Sequence, residues 1–197
     1  MPHQITARLA CHHENRFAVP SLSSNDFELF NIPVKFAQER DVLDARWKQL
    51  QREAHPDKFA AQGQSAQRLA MQWSVRINEA YQRLKDPLKR ASYLCELHDA
   101  PVNAETNTAM PAECLVKQMA WRESLDEVVS AESIEEIARE VNTDGRKQLL
   151  NLERLIDEAK DFHAAAQQVR GLMFVGRFAA DVQARLDALE LLEEKKS

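Results

Sequence analysis

A chain of 197 residues with 44% hydrophobic content is long enough for one domain or two small ones with real cores. Its charged fraction of 29%, net charge of -5 and pI near 5.7 lack the basic excess of a general nucleic-acid binder, so any cationic site must be local. Four glycines and seven prolines, set among much Ala, Leu, Glu, Gln and Arg, favour helices over sheets. Cys11, Cys95 and Cys114 include no CxxC pair and read as buried thiols in a reducing compartment. No run approaches the ~20 apolar residues of a membrane span, and the N-terminus lacks a secretory apolar core. A cytoplasmic protein without membrane attachment is expected.

Residues 1–24 show no helical or strand period and are expected to form a mobile extension. Cys11, His12 and His13 are adjacent and cannot all face one ion from regular structure, so no metal site is assigned. Ser24, Asn25 and Asp26 then cap a brief helix with Phe27 and Phe30 inward, ended by Pro33. From Glu39, Leu43, Trp47, Leu50 and Ala54 recur at helical spacing on one face. Lys48, Gln49 and Arg52 project opposite, with Arg46 at the flank. This basic stripe leads into Arg52–Phe59, REAHPDKF, where Pro56 lacks an amide donor and biases His55 away from helical dihedrals. The helix should stop there and present His55, Pro56 and Asp57 on a rigid turn, with Lys58 just beyond.

Gly63 to Ser65 restart the chain, and Ala66, Leu69, Ala70, Trp73, Ile77, Ala80, Tyr81 and Leu84 form a second one-sided helix. The short connection predicts that it lies antiparallel to the first. Trp47 and Trp73 fall inside the apolar period and are expected as core anchors. Asp86 and Pro87 cap a further helix with Leu88, Ala91 and Leu94 inward and Cys95 beside them. Residues 98–110 read as a linker. Pro111 then opens a helix carrying Leu115, Met119, Leu125 and Val128 or Val129. Ser133 and Glu136 have capping-box spacing before Ile137, Val141, Leu149, Leu152 and Ile156, in a helix expected to kink at Gly145. A last pattern runs from near Asp161 through Phe162, Ala165, Val169, Leu172, Val182, Leu186 and Leu189. The three make a bundle. The expected domains are therefore an extension (1–24), a helix-pair domain (25–97), a linker (98–110) and a C-terminal three-helix bundle (111–197), all-α throughout.

The order of helix, basic helix, HPD turn, antiparallel helix and DPLKRASYL resembles a J-domain. The placement of HPD between those helices, more than the three letters, carries the likeness. Resemblance to the HscB family of J-type co-chaperones in iron–sulfur cluster assembly extends from DFELFNIP through LQREAHPDKFA, INEAYQRLKDPLKRASYLCELH and WRESLDEV into the bundle. Neither a Gly/Phe-rich segment nor CxxCxGxG repeats are present in the sequence. The resemblance implies an adaptor whose J-domain docks on HscA, a specialised seventy-kilodalton heat-shock chaperone, and stimulates its ATPase, while the bundle binds the scaffold IscU. By motif, His55, Pro56 and Asp57 carry stimulation, and Lys48, Arg52, Arg46 and Lys58 join the docking surface. Such a contact should weaken with salt. The family pattern places scaffold contacts on Leu115, Val116, Met119, Glu123, Glu127 and Phe174. Ala120 replaces a frequent acid and Met173 a frequent base, which implies a more apolar patch.

The resemblance implies no enzyme activity and no cofactor, and the acidic total with no recognition motif argues against a nucleic-acid partner despite the basic stripe. Service to a general heat-shock chaperone with another client is the alternative that keeps the J-domain assignments. An enzyme would pair His55 with Asp57 and recruit Cys95 or Cys114 as nucleophile, but the sequence offers no nucleophile-elbow or oxyanion context.

Overall fold

The computed structural model describes residues 21–103, 112–128 and 130–194, with side chains for all of these except 112, 113 and 192–194. Cys11, His12 and His13, Pro111, Val129 and most of the expected extension lie outside them. Among the described residues the fold is all-α: α1 (Asp26–Phe30), α2 (Arg40–Glu53), a 3-10 helix (Pro56–Gln62), α3 (Gln64–Lys85), α4 (Pro87–Leu97), α5 (Ala112–Glu127), α6 (Ala131–Glu153), a π turn (Arg154–Ala159) and α7 (Phe162–Glu194). The chain divides into two compact units, 1–90 and 91–197. That division falls inside α4, upstream of the Leu97 boundary expected from the pattern.

In the first unit, α1 opens with a reciprocal cap. Asn25 accepts from the Glu28 amide while the Glu28 carboxylate accepts from the Asn25 amide. The helix stops at Asn31, which takes a left-handed φ of 50°, two residues before the proline expected to end it. Phe27, Leu29 and Phe30 are buried. Asp26 is fully buried and pairs with Arg76 at 2.7 Å and Arg83 at 3.4 Å, both on α3. Arg76 also donates to the carbonyls of Ser24 (2.8 Å) and Leu22 (3.4 Å), so residues 22–24 are fastened to α3 and are no part of a free extension.

α2 and α3 lie antiparallel because their contacts run in opposite directions along the two helices. Tyr81 donates to Asp44 (2.6 Å), Trp47 to Asn78 (2.9 Å), Gln51 to the Ser74 carbonyl (3.0 Å), and Ser74 to the Ala54 carbonyl (3.1 Å). Leu43 and Leu50 on α2, Ala54 at its C-cap, and Ala70, Trp73, Ile77, Ala80 and Leu84 on α3 are all buried. Trp73 is the core anchor its spacing predicts. Trp47 instead lies at the edge, half-buried and stacked on Tyr81 at 4.8 Å, since its indole N–H needs the surface carboxamide of Asn78. Asp86 caps α4 through the amides of Leu88 and Lys89. Arg90 is buried, donating to the Leu84 carbonyl with its guanidinium 5.0 Å from the Phe36 ring.

In the second unit Trp121, Ile134, Ile137, Val141, Val175, Phe178 and Val182 form one core. The cap of α6 is Ser130, whose hydroxyl accepts from the Ser133 amide, three residues before the start predicted at Ser133. α6 runs through Gly145 without a break. The irregularity falls later, in the π turn, which closes on Lys160 at φ 55° and lets Asp161 cap α7 through the Ala164 amide. Residues 98–103, expected as linker, pack. Ala100 and Val102 are buried, Arg170 of α7 donates to the Val102 carbonyl at 2.9 Å, and His98 stacks on Phe162 at 3.7 Å. Residues 104–110 lie outside the described set.

Candidate functional site

The HPD turn begins where α2 runs out. The Ala54 amide still bonds to the Leu50 carbonyl, but His55 takes extended dihedrals (φ -63°, ψ 125°) before Pro56, as the missing amide and ring of that proline require. The chain does not loosen afterwards. It winds into the 3-10 helix Pro56–Gln62, with the Lys58 amide bonding to the His55 carbonyl and Phe59 buried to 3% exposure. Gly63, at φ 91°, makes the turn into α3 that an L side chain would strain. A polar break was legible in the sequence, but the 3-10 helix and its Phe59 anchor were not. The signal available was a lone aromatic in a polar stretch.

The His55 and Asp57 side chains are 58% and 90% exposed. His55 Nδ1 stands 3.7 Å from Asp57 Oδ2 and accepts from the Asp57 backbone amide at 3.3 Å. With Nδ1 an acceptor, the ring offers Nε2–H outward, and the Asp57 carboxylate stays open to an external cation. A carboxylate that orients an imidazole as a base receives Nδ1–H, so this is not the geometry of a catalytic His–Asp pair.

Lys48 and Arg52 lie exposed one turn apart on the last turns of α2, with Arg52 Nε donating to the Lys48 carbonyl at 3.2 Å. Lys58 is exposed beyond the turn. Arg46 differs. It is half-buried and donates to the Phe30 carbonyl (2.9 Å) and to Gln49 (3.0 Å), which ties α2 to the end of α1. Burial pulls its guanidinium below the ordinary arginine value, with Glu53 opposing that shift. Nearby, the hydrogen bond from Tyr81 holds the Asp44 carboxyl below its usual range. On the other side of the turn, Pro56 borders an open hollow of about 360 Å³ with Gln64, Gln67, Arg68 and Met71.

The second candidate surface lies on the bundle. α5 turns Trp121 inward, where it is 4% exposed, stacks on Phe178 at 5.7 Å and donates to Glu140 at 2.9 Å. With that face anchored, Leu115, Val116 and Met119 stand 50%, 67% and 63% exposed. Leu115 and Met119 therefore lie outside the core, on the exposed side of α5. At 100° per residue the three apolar side chains and the exposed Glu123 and Glu127 fall within an arc of about 120°. Phe174 on α7 is half-exposed with Arg177 5.4 Å from its ring. A methyl built on Gly171, one turn earlier, would lie 3.6 Å from the sulfur of Cys114, the neighbour of Leu115, so α5 and α7 approach closely in this region.

Among the described residues no group of three or more His, Cys, Asp or Glu converges as a metal site, and no helix is long and apolar enough to cross a membrane. Neither Cys95 nor Cys114 forms a disulfide; Cys95 is buried as expected, which raises its thiol to about 11, whereas Cys114 is only half-buried.

An antiparallel helix pair with an outward HPD turn, followed by a helical bundle, defines a J-domain protein. Comparisons with known proteins narrow the class. Residues 110–183 match the family model described as the HSCB C-terminal oligomerisation domain. The Co-chaperone protein HscB homolog of Burkholderia thailandensis is 44% identical over 173 residues, covering 86% of this chain and 98% of the relative. That of Burkholderia mallei is 43% identical over the same span. Among solved structures, the chaperone HscB from Vibrio cholerae superposes with a TM-score of 0.73 at 31% identity, covering 84% of this chain and 99% of that one. Human co-chaperone protein HscB superposes with a TM-score of 0.78 at 26% identity, covering 88% and 92%. The chain belongs to the HscB family of co-chaperones.

Proposed function

We propose that this protein is a non-enzymatic cytoplasmic adaptor that binds an IscU-type iron–sulfur scaffold through its second unit and delivers it to an HscA-type heat-shock chaperone. It stimulates that chaperone's ATPase and so promotes cluster transfer and maturation of iron–sulfur proteins. The reading is carried by the coincidence, at one end of the α2/α3 pair, of an open His55–Pro56–Asp57 turn and the exposed cations Lys48 and Arg52. Lys48, Arg52 and Lys58 steer encounter with an acidic chaperone surface. Pro56 holds the turn, His55 donates through Nε2, and Asp57 accepts a charge-assisted hydrogen bond from a cationic group of the chaperone. Arg46 supports this surface from behind through Phe30. The chaperone supplies the nucleotide and the hydrolytic chemistry.

Leu115, Val116, Met119 and Phe174 offer the scaffold an apolar contact, and Glu123 and Glu127 give it a charged rim. Exposed apolar groups clustered within one arc of a helix are the usual mark of such a contact. The test is steady-state ATPase of the cognate chaperone with apo scaffold and either the native chain or Asp57→Asn. Loss of one charge-assisted bond predicts at least a roughly tenfold fall in stimulation. Equal stimulation by both forms would refute the assignment.

A further inference from the structure

Beneath the HPD turn, a polar seam closes one edge of the α2/α3 pair. Tyr81 reaches Asp44, and Asn78 Oδ1 accepts from both Trp47 Nε1 (2.9 Å) and Gln51 Nε2 (2.8 Å). Gln51 Nε2 also donates to the Ser74 carbonyl, and the seam ends where Ser74 Oγ donates to the Ala54 carbonyl at 3.1 Å.

That last acceptor sits at a sensitive place. Ala54 is the C-cap of α2 and precedes His55 directly. In a continuing helix its carbonyl would receive the amide of residue 58, but the Lys58 amide has turned to His55 as the 3-10 helix begins. The Ser74 hydroxyl takes the vacated position. It therefore fixes the plane of the Ala54–His55 peptide, and with it the direction in which His55 leaves the helix. The site is half-buried, and the donor comes from a different helix, so the constraint crosses the pair and is not a local cap.

We infer that Ser74 is a positioning residue for the HPD turn, setting the height of chaperone stimulation without touching the chaperone. This rests on the function proposed above, and Ser74 is absent from the residues the motif assigns. Its signal in the sequence is slight: Ser74 and Asn78 form a polar row at helical spacing beside the apolar row of Trp73 and Ile77.

Ser74→Ala suits the test because alanine is the better helix former, which offsets part of the lost bond and leaves α3 intact. Ser74→Thr restores the hydroxyl. Chaperone ATPase would be titrated with native chain, S74A, S74T and D57N in the presence of apo scaffold, with hydrogen exchange of the Asp57 and Lys58 amides measured in parallel. S74A should lower maximal stimulation about fivefold, the factor for one net hydrogen bond, with an unchanged half-saturating concentration. The Asp57 and Lys58 amides should exchange faster while those of Ile77 and Ala80 do not, and S74T should recover both readouts. Native-level maximal stimulation by S74A would overturn the inference, as would a loss matched by faster exchange throughout α3, which marks a structural role. If the native chain itself fails to stimulate, or D57N equals it, the proposed function falls first and the inference with it.

Discussion

Replacing Asp26 by Asn removes a charge and leaves the shape, so it isolates the ion pairs that hold α1 on α3. Asp26 is fully buried, Arg76 is 19% exposed and Arg83 is 39% exposed. Taking one partner from a fully buried pair costs about 3–5 kcal/mol, because the other charge is stranded. That full range does not apply here. Arg83 can turn to water, and Arg76 keeps the carbonyls of Ser24 and Leu22. Screening leaves little for the Arg83 arm, and the Arg76 arm carries the remainder, about 2–3 kcal/mol. A chain of two compact units need not unfold in one step, so residue-resolved hydrogen exchange in α3 is the appropriate assay. The opening free energy of Ile77 and Ala80 should fall by that amount, while Arg83→Ala shifts it by no more than about 0.5 kcal/mol. A change below about 0.5 kcal/mol for Asp26→Asn would refute the reasoning.

Two further outcomes separate folding from binding in the second unit. Met119→Ala together with Val116→Ala should leave the melting temperature nearly unchanged, since both side chains are mostly exposed, while weakening capture of apo scaffold by about 1–2 kcal/mol per side chain in calorimetry. A fall in melting temperature with unchanged capture would assign these side chains to the core. Alkylation checks the thiols: with its thiol raised to about 11 by burial, Cys95 should stay unlabelled by iodoacetamide at neutral pH in native protein and react in denaturant, and rapid native labelling at Cys95 would contradict its burial.

Where apolar residues lie on one side of a helix, the sequence is a sufficient guide. Leu43, Leu50, Ala70, Trp73, Ile77 and Leu84 are buried as their spacing implies, and His55 and Asp57 are exposed as a proline-imposed turn implies. α5 shows why this method fails elsewhere. It carries apolar side chains on both faces, so periodicity alone cannot choose between Leu115 with Met119 and Trp121 with Leu125. Trp121 wins because its larger surface fills the bundle and its N–H finds Glu140. The π turn and the left-handed Lys160 left no trace in composition, since both depend on how α6 must end for α7 to return. The packing of Ala100 and Val102 was hidden in a stretch whose Asn, Thr and Pro content resembles a linker, because its tether, Arg170, lies far along the chain.

Arg46 and Lys48 show how the fold assigns different tasks to similar residues two positions apart. Both are cations of one stripe, and the helical projection already sets Lys48 on its exposed face and Arg46 at its flank. In the structure Arg46 spends its guanidinium on the Phe30 carbonyl and on Gln49, so its charge is partly withdrawn from water and its geometry is fixed. Lys48 stays exposed, with its charge available to a partner. Long-range attraction requires only exposed charge, whereas holding α2 at a set angle to α1 requires an oriented fork of donors, which lysine lacks. The same division recurs below the turn, where Phe59 and the seam ending at Ser74 hold the backbone, while the Asp57 carboxylate and the Nε2 side of the His55 ring stay open. A surface built this way can lose its exposed groups without losing its fold, so substitutions at Asp57 and Lys48 are expected to alter the proposed recognition alone, and those at Arg46 and Phe59 the architecture as well.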